Sequence, residues 1–441
     1  MQGDLLNSFL GALQATVSIV LVIFYGVLAT QFKLLDGPAS KKISTVCIKF
    51  FLPALLITKV GSQLHAGTAA RYVPVLIWAV FYTLVSIAIG LLAVKILKLP
   101  SYVTPAIAFN NTTSLPLLLI ESLGSTGILD RLLLHDDSVK DAVNRAQAYF
   151  LVCAVVGNCL TFAVGPRLIK NEYSSEEREV QQGVDEENGF EDEDDLEEHR
   201  DGRRDDHVRS PHDPDDLTSL LPGRVRTFGD EITENVFNIG RNHWAQLSPR
   251  TRDVVVFVSD FVNPPLIGAI LGAAIGLTPP LHRAFFNDSR HGGFFNAWLT
   301  ISLRNTGQLF VTLQVVVVGV SLSSALRKMR RGDDKGLAWV PAAFILLVRF
   351  VMWPVLSIAI IWGLSTRTKV LPQDPMLCFA MMLMPTGPPA MKLVAMGKVN
   401  DIGADDEMIL SKLLTLSYAV SPILALTVVG SLYASEAAMV K

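Results

Sequence analysis

Apolar residues in this chain fall in long unbroken runs, separated by short stretches carrying Lys, Arg, Asp and Pro. A run of roughly 20 mostly apolar residues is long enough to cross a bilayer as a helix. Ten such runs are present, at about 8–30, 43–60, 72–97, 102–121, 146–169, 253–277, 296–323, 338–364, 374–397 and 406–433. Two are interrupted. The fourth holds five consecutive small polar residues, Asn110, Asn111, Thr112, Thr113 and Ser114, before Pro116. The ninth carries Pro385, Thr386, Gly387, Pro388 and Pro389 near its middle. Hydrocarbon has no water to replace lost backbone hydrogen bonds, so irregular backbone at that depth persists only where protein or a wet cavity covers it. Matched interruptions in the two halves of a chain point to a transporter's binding site.

Composition agrees with a membrane class. Of 441 residues, 50% are hydrophobic and only 18% charged, against roughly 25% charged in soluble proteins. The mean hydropathy is +0.39. The expected fold class is an all-α polytopic membrane protein of ten transmembrane helices, arranged as two inverted five-helix repeats. The net charge of −3 comes largely from one acidic stretch, and nothing in the charge pattern indicates nucleic-acid binding. Cys47, Cys153, Cys159 and Cys378 all lie in apolar runs without zinc-type spacing, so neither a disulfide framework nor a metal site is expected. There is no phosphate-binding loop, dinucleotide fingerprint or His-x-x-x-His pair. No cofactor is therefore expected, and neither enzymatic chemistry nor ATP-driven transport. The first run lacks a basic leader and a small-residue cleavage site, and reads as a retained helix.

Three regions follow: a first five-helix repeat over 1–170, a loop over 171–252 and a second repeat over 253–441. The loop includes Glu191-Asp-Glu-Asp-Asp-Leu-Glu-Glu198. With so little apolar material to bury it reads as largely disordered. Leu217–Leu221 and Phe228–Trp244 could form a surface helix. Because each half has an odd number of helices, the second half starts on the opposite side, which inverts it relative to the first. Corresponding features strengthen the pairing: Pro53 and Gly307 interrupt helices two and seven, and the breaks fall in four and nine.

Lysine and arginine set orientation. Lys33, Lys41, Lys42, Lys95, Lys98 and the cluster Arg327–Lys335 favour one set of loops as cytoplasmic, over an opposite set that holds Lys59, Arg71, Arg131, Lys140, Arg145, Arg283, Arg290, Arg367 and Lys369. The acidic loop is then cytoplasmic, and both termini are lumenal or extracellular. The sequon Asn287-Asp288-Ser289 falls on the non-cytoplasmic side.

The first break is the expected ligand grip. Asn amides both donate and accept, Thr and Ser hydroxyls do either, and a half-helix starting after the break directs a positive end at the site. The second break has Thr386 as its one side-chain donor; its prolines free carbonyls that could face a cation, water or the first break. Lys392 follows by three residues and could balance a bound anion. Glu121, Arg349 and Lys412 also lie at membrane depth, where ionisable groups are costly; Glu121 and Lys412 could equally reach an interface. In helix five, Arg145 and Tyr149 share a face, whereas Gln147 points elsewhere. Tyr149 and Gln147 remain candidates for the site, with an interfacial anchor the alternative for the tyrosine.

These residues resemble the auxin efflux carrier family, near its fungal members and the endoplasmic-reticulum branch of PIN-like proteins. Phe109-Asn-Asn-Thr-Thr-Ser-Leu-Pro-Leu117 resembles the family's helix-four crossover. Asn263-Pro-Pro-Leu-Ile-Gly-Ala-Ile-Leu-Gly-Ala-Ala-Ile-Gly-Leu277 resembles the opening of its sixth helix, Pro385–Met391 its ninth-helix crossover, and Leu413–Leu426 its last helix. The resemblance implies two inverted repeats, a scaffold and a moving transport domain containing helices four and nine, and elevator-type transport of auxin-like organic anions such as indole carboxylates. It implies Asn111, or the adjacent Asn110, as the substrate-contacting asparagine, with Pro116, Pro385, Gly387, Pro388 and Pro389 as crossover backbone. Thr386-Gly387 stands where the family can carry an asparagine. Expected partners are a small organic anion, membrane lipid and a second copy in a homodimer. The expected location is the endoplasmic reticulum, with the plasma membrane as alternative. Competing functions are transport of another metabolite anion coupled to sodium or protons, and a non-transporting scaffold acting through the acidic loop.

Overall fold

A computed structural model describes residues 2–65, 67–134, 137–187, 261–330, 338–368, 370–390, 393 and 404–439. The acidic run, the patch 217–221, the stretch 228–244 and Lys392 lie outside them. Two compact units are present, Met1–Ser174 with Asp260–Lys441, and Ser175–Ser259; the first carries the features below.

Among the described residues the secondary structure is helical, apart from one isolated β-bridge between Asn110 and Pro389. Among these residues seven helices are long and apolar enough to cross a membrane, or eight counting one bent pair. The chain is an all-α polytopic membrane protein. Helix α1 is Gln2–Gln31, α2 is Gly37–Gln63 and α3 is Tyr72–Leu97. The fourth apolar run forms two short helices, α4 (Val103–Ala108) and α5 (Ser114–Gly124), on either side of the break. Helix α6 is Val139–Glu187. The bent pair is α7 (Pro264–Leu277) and α8 (Pro279–Phe286), which meet at 103°. Then come α9 (Ile301–Arg330), α10 (Trp339–Arg367), α11 (Pro375–Leu383), α12 (Ala404–Ala419) and α13 (Leu424–Met439).

Two expectations about these elements are corrected. Gly307 does not interrupt its helix: α9 runs through it, and a Cβ there would lie 2.6 Å from the Leu55 backbone nitrogen on α2. The last apolar run is not one helix. Pro422 cannot donate a helix hydrogen bond, and a 3₁₀ turn, Ser421–Ile423, separates α12 from α13.

Helix starts follow local chemistry. Asp36, Asn263 and Asp374 each accept backbone N–H bonds at an N-terminus, with proline in the first turn, the pairing that caps and pre-shapes a helix. Pro53 and Pro354 lie inside spans, each just after a π-helical turn, Cys47–Phe51 and Val348–Met352. The wider turn accommodates the missing N–H and the ring without ending the helix.

Lipid gives no hydrophobic incentive for helices to associate, so close backbone approach through small residues does that work. Gly268, Gly272 and Gly276 form a stripe on α7 against α2: a Cβ at Gly268 would lie 2.6 Å from Pro53 Cα, and one at Gly272 2.9 Å from the Leu56 carbonyl oxygen. Gly26 of α1 and Gly319 of α9 face each other in the same way. Outward, α1 and α3 expose Leu6, Leu10, Leu21, Phe24, Ile77 and Leu92, the surface a lipid-facing helix presents. At the opposite extreme, every residue of α4 and α11 is buried. The segments leading into both breaks are thus enclosed by protein.

Candidate functional site

The two breaks meet. The Asn111 backbone N–H donates to the Pro388 carbonyl (3.1 Å) and the Ala390 N–H donates to the Phe109 carbonyl (2.9 Å), which makes the bridge between Asn110 and Pro389. The Asn110 amide donates to the carbonyls of Met384 (2.8 Å) and Thr386 (3.0 Å). Proline-freed carbonyls of the second break therefore face the first break rather than solvent. Others are met by neighbouring spans: Arg349 Nη1 donates to the Pro385 carbonyl (3.0 Å), Ser357 to that of Met382 (2.6 Å) and Trp78 Nε1 to that of Met381 (2.8 Å). Gly387 turns the chain at φ +95°, a conformation open to glycine at no steric cost.

The neighbouring asparagines have different tasks. Asn110 is buried and its amide is spent on the second break. Asn111 is half-buried; its amide donates to the Tyr418 hydroxyl (2.9 Å) and to Ser114 Oγ (3.3 Å), and its Oδ1 accepts from the Thr113 N–H (3.3 Å). Thr112 is buried, with its hydroxyl packed toward Gly157 of α6. Pro116 sits in the first turn of α5, a position where its missing N–H costs nothing. Thr386 departs from the expectation. It is buried, and its hydroxyl donates to the Leu383 carbonyl (2.7 Å), closing the end of α11 instead of facing a ligand.

Gln147 and Tyr149 separate, as their spacing requires, and Tyr149 is no interfacial anchor. It is fully buried and its hydroxyl donates to Asp374 Oδ2 (2.8 Å). Arg145, on the same face, places Nε 3.1 Å from that oxygen. The N–H is off the hydrogen-bonding direction, so the contact is Coulombic. The other edge of Arg145 forks onto Asp137, one arm at 3.1 Å, and holds that loop carboxyl below the usual carboxylate range. Asp374 Oδ1 meanwhile accepts from Met376 N (3.0 Å) and Leu377 N (3.3 Å). One buried carboxylate thus fastens the start of α11 to α6.

Gln147 lines a cavity of about 590 Å³ running along α5, with Leu117 and Glu121 on that wall and Lys59, Lys140, Asn144 and Gln308 opposite or beside them. A neighbouring cavity of about 410 Å³ shares Lys59, Lys140, Asn144 and Gln308 and adds Arg304. Lys59 Nζ donates to Asn144 Oδ1 (2.7 Å). Three cations against the single Glu121 carboxylate give this space a positive potential, and partly enclosed cations act more strongly than they would in bulk water. Asn111 is not among the cavity-lining residues; Leu117 lies one turn along α5 from Ser114. Lys59 and Lys140 read from sequence as orientation markers, and Tyr418, Arg304 and Asp374 carry no motif that marks them. The joint replacement Lys59→Met and Arg304→Met is expected to weaken binding of a small carboxylate probe at least tenfold and leave the thermal unfolding midpoint nearly unchanged. An unaltered affinity would show that these cations do not attract anions into the cavity.

A helical bundle enclosing two paired backbone breaks beside a cationic cavity suits a membrane transport protein. The family described as "Membrane transport protein" matches residues 12–429, and the chain belongs to it. It is 24% identical over 440 residues to "Uncharacterized transporter C5D6.04" of Schizosaccharomyces pombe, covering 92% of this chain and 91% of that one. Two Arabidopsis thaliana proteins match in part. "Protein PIN-LIKES 7" is 27% identical over 183 residues, 40% of this chain and 41% of its own, and "Protein PIN-LIKES 5" is 26% identical over 180 residues, with the same shares.

Proposed function

We propose that the chain is a secondary transporter or facilitator of small organic anions of the indole carboxylate class. The observation that carries this reading is the placement of the paired breaks at Asn110, Asn111 and Pro389 beside a cavity lined by Lys59, Lys140 and Arg304. A carboxylate drawn in by the cations reaches the flank of α5, the half-helix that begins at the first break. Asn111 is the ligand-facing member of the asparagine pair, because Asn110 is fully engaged in holding the second break. The segments around the two breaks form the moving part, in an elevator-type alternation against the helices packed through glycine. The architecture proposed for it is ten crossings in two inverted repeats, 1–170 and 253–441, joined by a cytoplasmic loop over 171–252. In that orientation the cavity opens to the lumenal or extracellular side, where Lys59 and Lys140 were placed by loop charge. The endoplasmic reticulum is the proposed membrane and a homodimer the proposed assembly.

Uptake of a labelled indole carboxylate into proteoliposomes tests the reading. Asn111→Ala is expected to lower the initial rate at least tenfold while the protein still elutes as a single folded species. Wild-type rates in that variant would withdraw the asparagine's role. Imposed proton and sodium gradients then identify the coupling.

A further inference from the structure

Helices α3 and α10 each direct a stripe of side chains at the second break, and the two stripes run in antiparallel register. Trp78 and Ser357 donate to adjacent carbonyls, Met381 and Met382. One turn along each helix, the rings of Tyr82 and Trp353 meet edge-on with centroids 6.0 Å apart. One turn further along α10, Arg349 Nη1 holds the Pro385 carbonyl. The first level is saturated with hydrogen bonds. The next two are not.

Three buried atoms of α10 there have no protein hydrogen-bond partner: Arg349 Nε, Arg349 Nη2 and Trp353 Nε1. Trp353 is 1% exposed and Arg349 0% exposed. All three can only donate. Nε and Nη2 form the side-on edge of the guanidinium, two parallel N–H bonds that match an anion or the two oxygens of a carboxylate. Arg349 also has no ion-pair partner among the described residues, although a buried, permanently charged group without a counter-charge is strongly unfavourable. A cluster of donors around an uncompensated cation asks for an anion.

We infer that Arg349 and Trp353 form a binding site for a small anion, of halide size or the head of a carboxylate, behind the second break and separate from the Lys59 cavity. Because Arg349 grips the anion with one edge and the Pro385 carbonyl with Nη1, occupancy steadies the position of the break. The site lies on different helices from the cavity and stands whether or not that cavity carries the transported anion.

The test is thermal unfolding of the purified full-length protein in detergent at constant ionic strength. Sodium gluconate, a bulky reference anion, is replaced stepwise by sodium chloride, bromide or formate. A ligand that binds the folded state raises the midpoint in a saturable way, and a rise of several degrees is expected. Saturation with halide assigns a halide occupant, and saturation with formate alone assigns a carboxylate; both support the site. Arg349→Lys keeps the charge but loses the fork, and Trp353→Phe keeps the ring but loses the N–H. Each is expected to raise the half-saturating concentration at least tenfold, and Trp353→Phe serves should the lysine variant not fold. The same midpoint in every salt, or saturation curves unchanged in Trp353→Phe and in any folded Arg349→Lys, would overturn the proposal.

Discussion

Asn110→Ala is expected to be the most destabilising single change at the breaks. Its amide donates to the buried carbonyls of Met384 and Thr386. Alanine leaves both without that donor, and each unsatisfied buried group costs about 1–3 kcal/mol. The expected loss is therefore about 2–6 kcal/mol, read as a lower unfolding midpoint in detergent. Asn111→Ala, by contrast, removes bonds from a half-buried amide to Tyr418 and Ser114, and should cost about 1 kcal/mol. The two neighbours are thus expected to divide, one principally by stability and the other principally by transport. Equal midpoints for the two variants would refute the division of labour.

The second large effect is expected at Asp374, 1% exposed and shared among several partners. Asp374→Ala removes the N-cap of α11, leaves the Tyr149 hydroxyl without its acceptor and takes away one of the two carboxylates beside Arg145. A lost cap costs about 0.5–2 kcal/mol and an orphaned buried donor about 1–3 kcal/mol, so about 2–5 kcal/mol is expected in all. Asp374→Asn keeps an acceptor for the cap and should lose about half as much. The comparison separates cap from charge: equal midpoints for the two variants would show that the charge carries the whole effect.

The breaks were legible in the sequence because hydrocarbon penalises irregular backbone so heavily that Pro385, Pro388 and Pro389 within an apolar run have few explanations. Their mutual pairing was less legible. The Asn110 side chain meets carbonyls 274 and 276 residues away, and no local pattern encodes that approach. The cavity was the least legible. A lone lysine at the end of an apolar run, such as Lys59, has the same sequence context whether its amine snorkels outward or lines a space inside the bundle. Arg304 is hidden inside the run 296–323. Asp374, just before Pro375, looks like an ordinary helix cap, and it is one; nothing local says that the same carboxylate also receives Tyr149. Gly307 was misread for a related reason. Glycine inside an apolar run weakens a helix by itself, and only the backbone of α2 lying against it shows that close contact is its purpose.

The glycine contacts also bear on where the protein is able to change shape. Where α7 meets α2 through Gly268, Gly272 and Gly276, and where α1 meets α9 through Gly26 and Gly319, main chain rests on main chain. Such a seam has no rotamers to exchange, so it has no second packing of similar energy into which it can slip. Each pair behaves as a single stiff strut. Displacement within the bundle must then be taken up at contacts made by side chains, which do have alternative arrangements. A bulkier residue at Gly272 should therefore harm assembly of the strut itself, whereas substitutions along side-chain contacts should alter how readily the remainder moves past it.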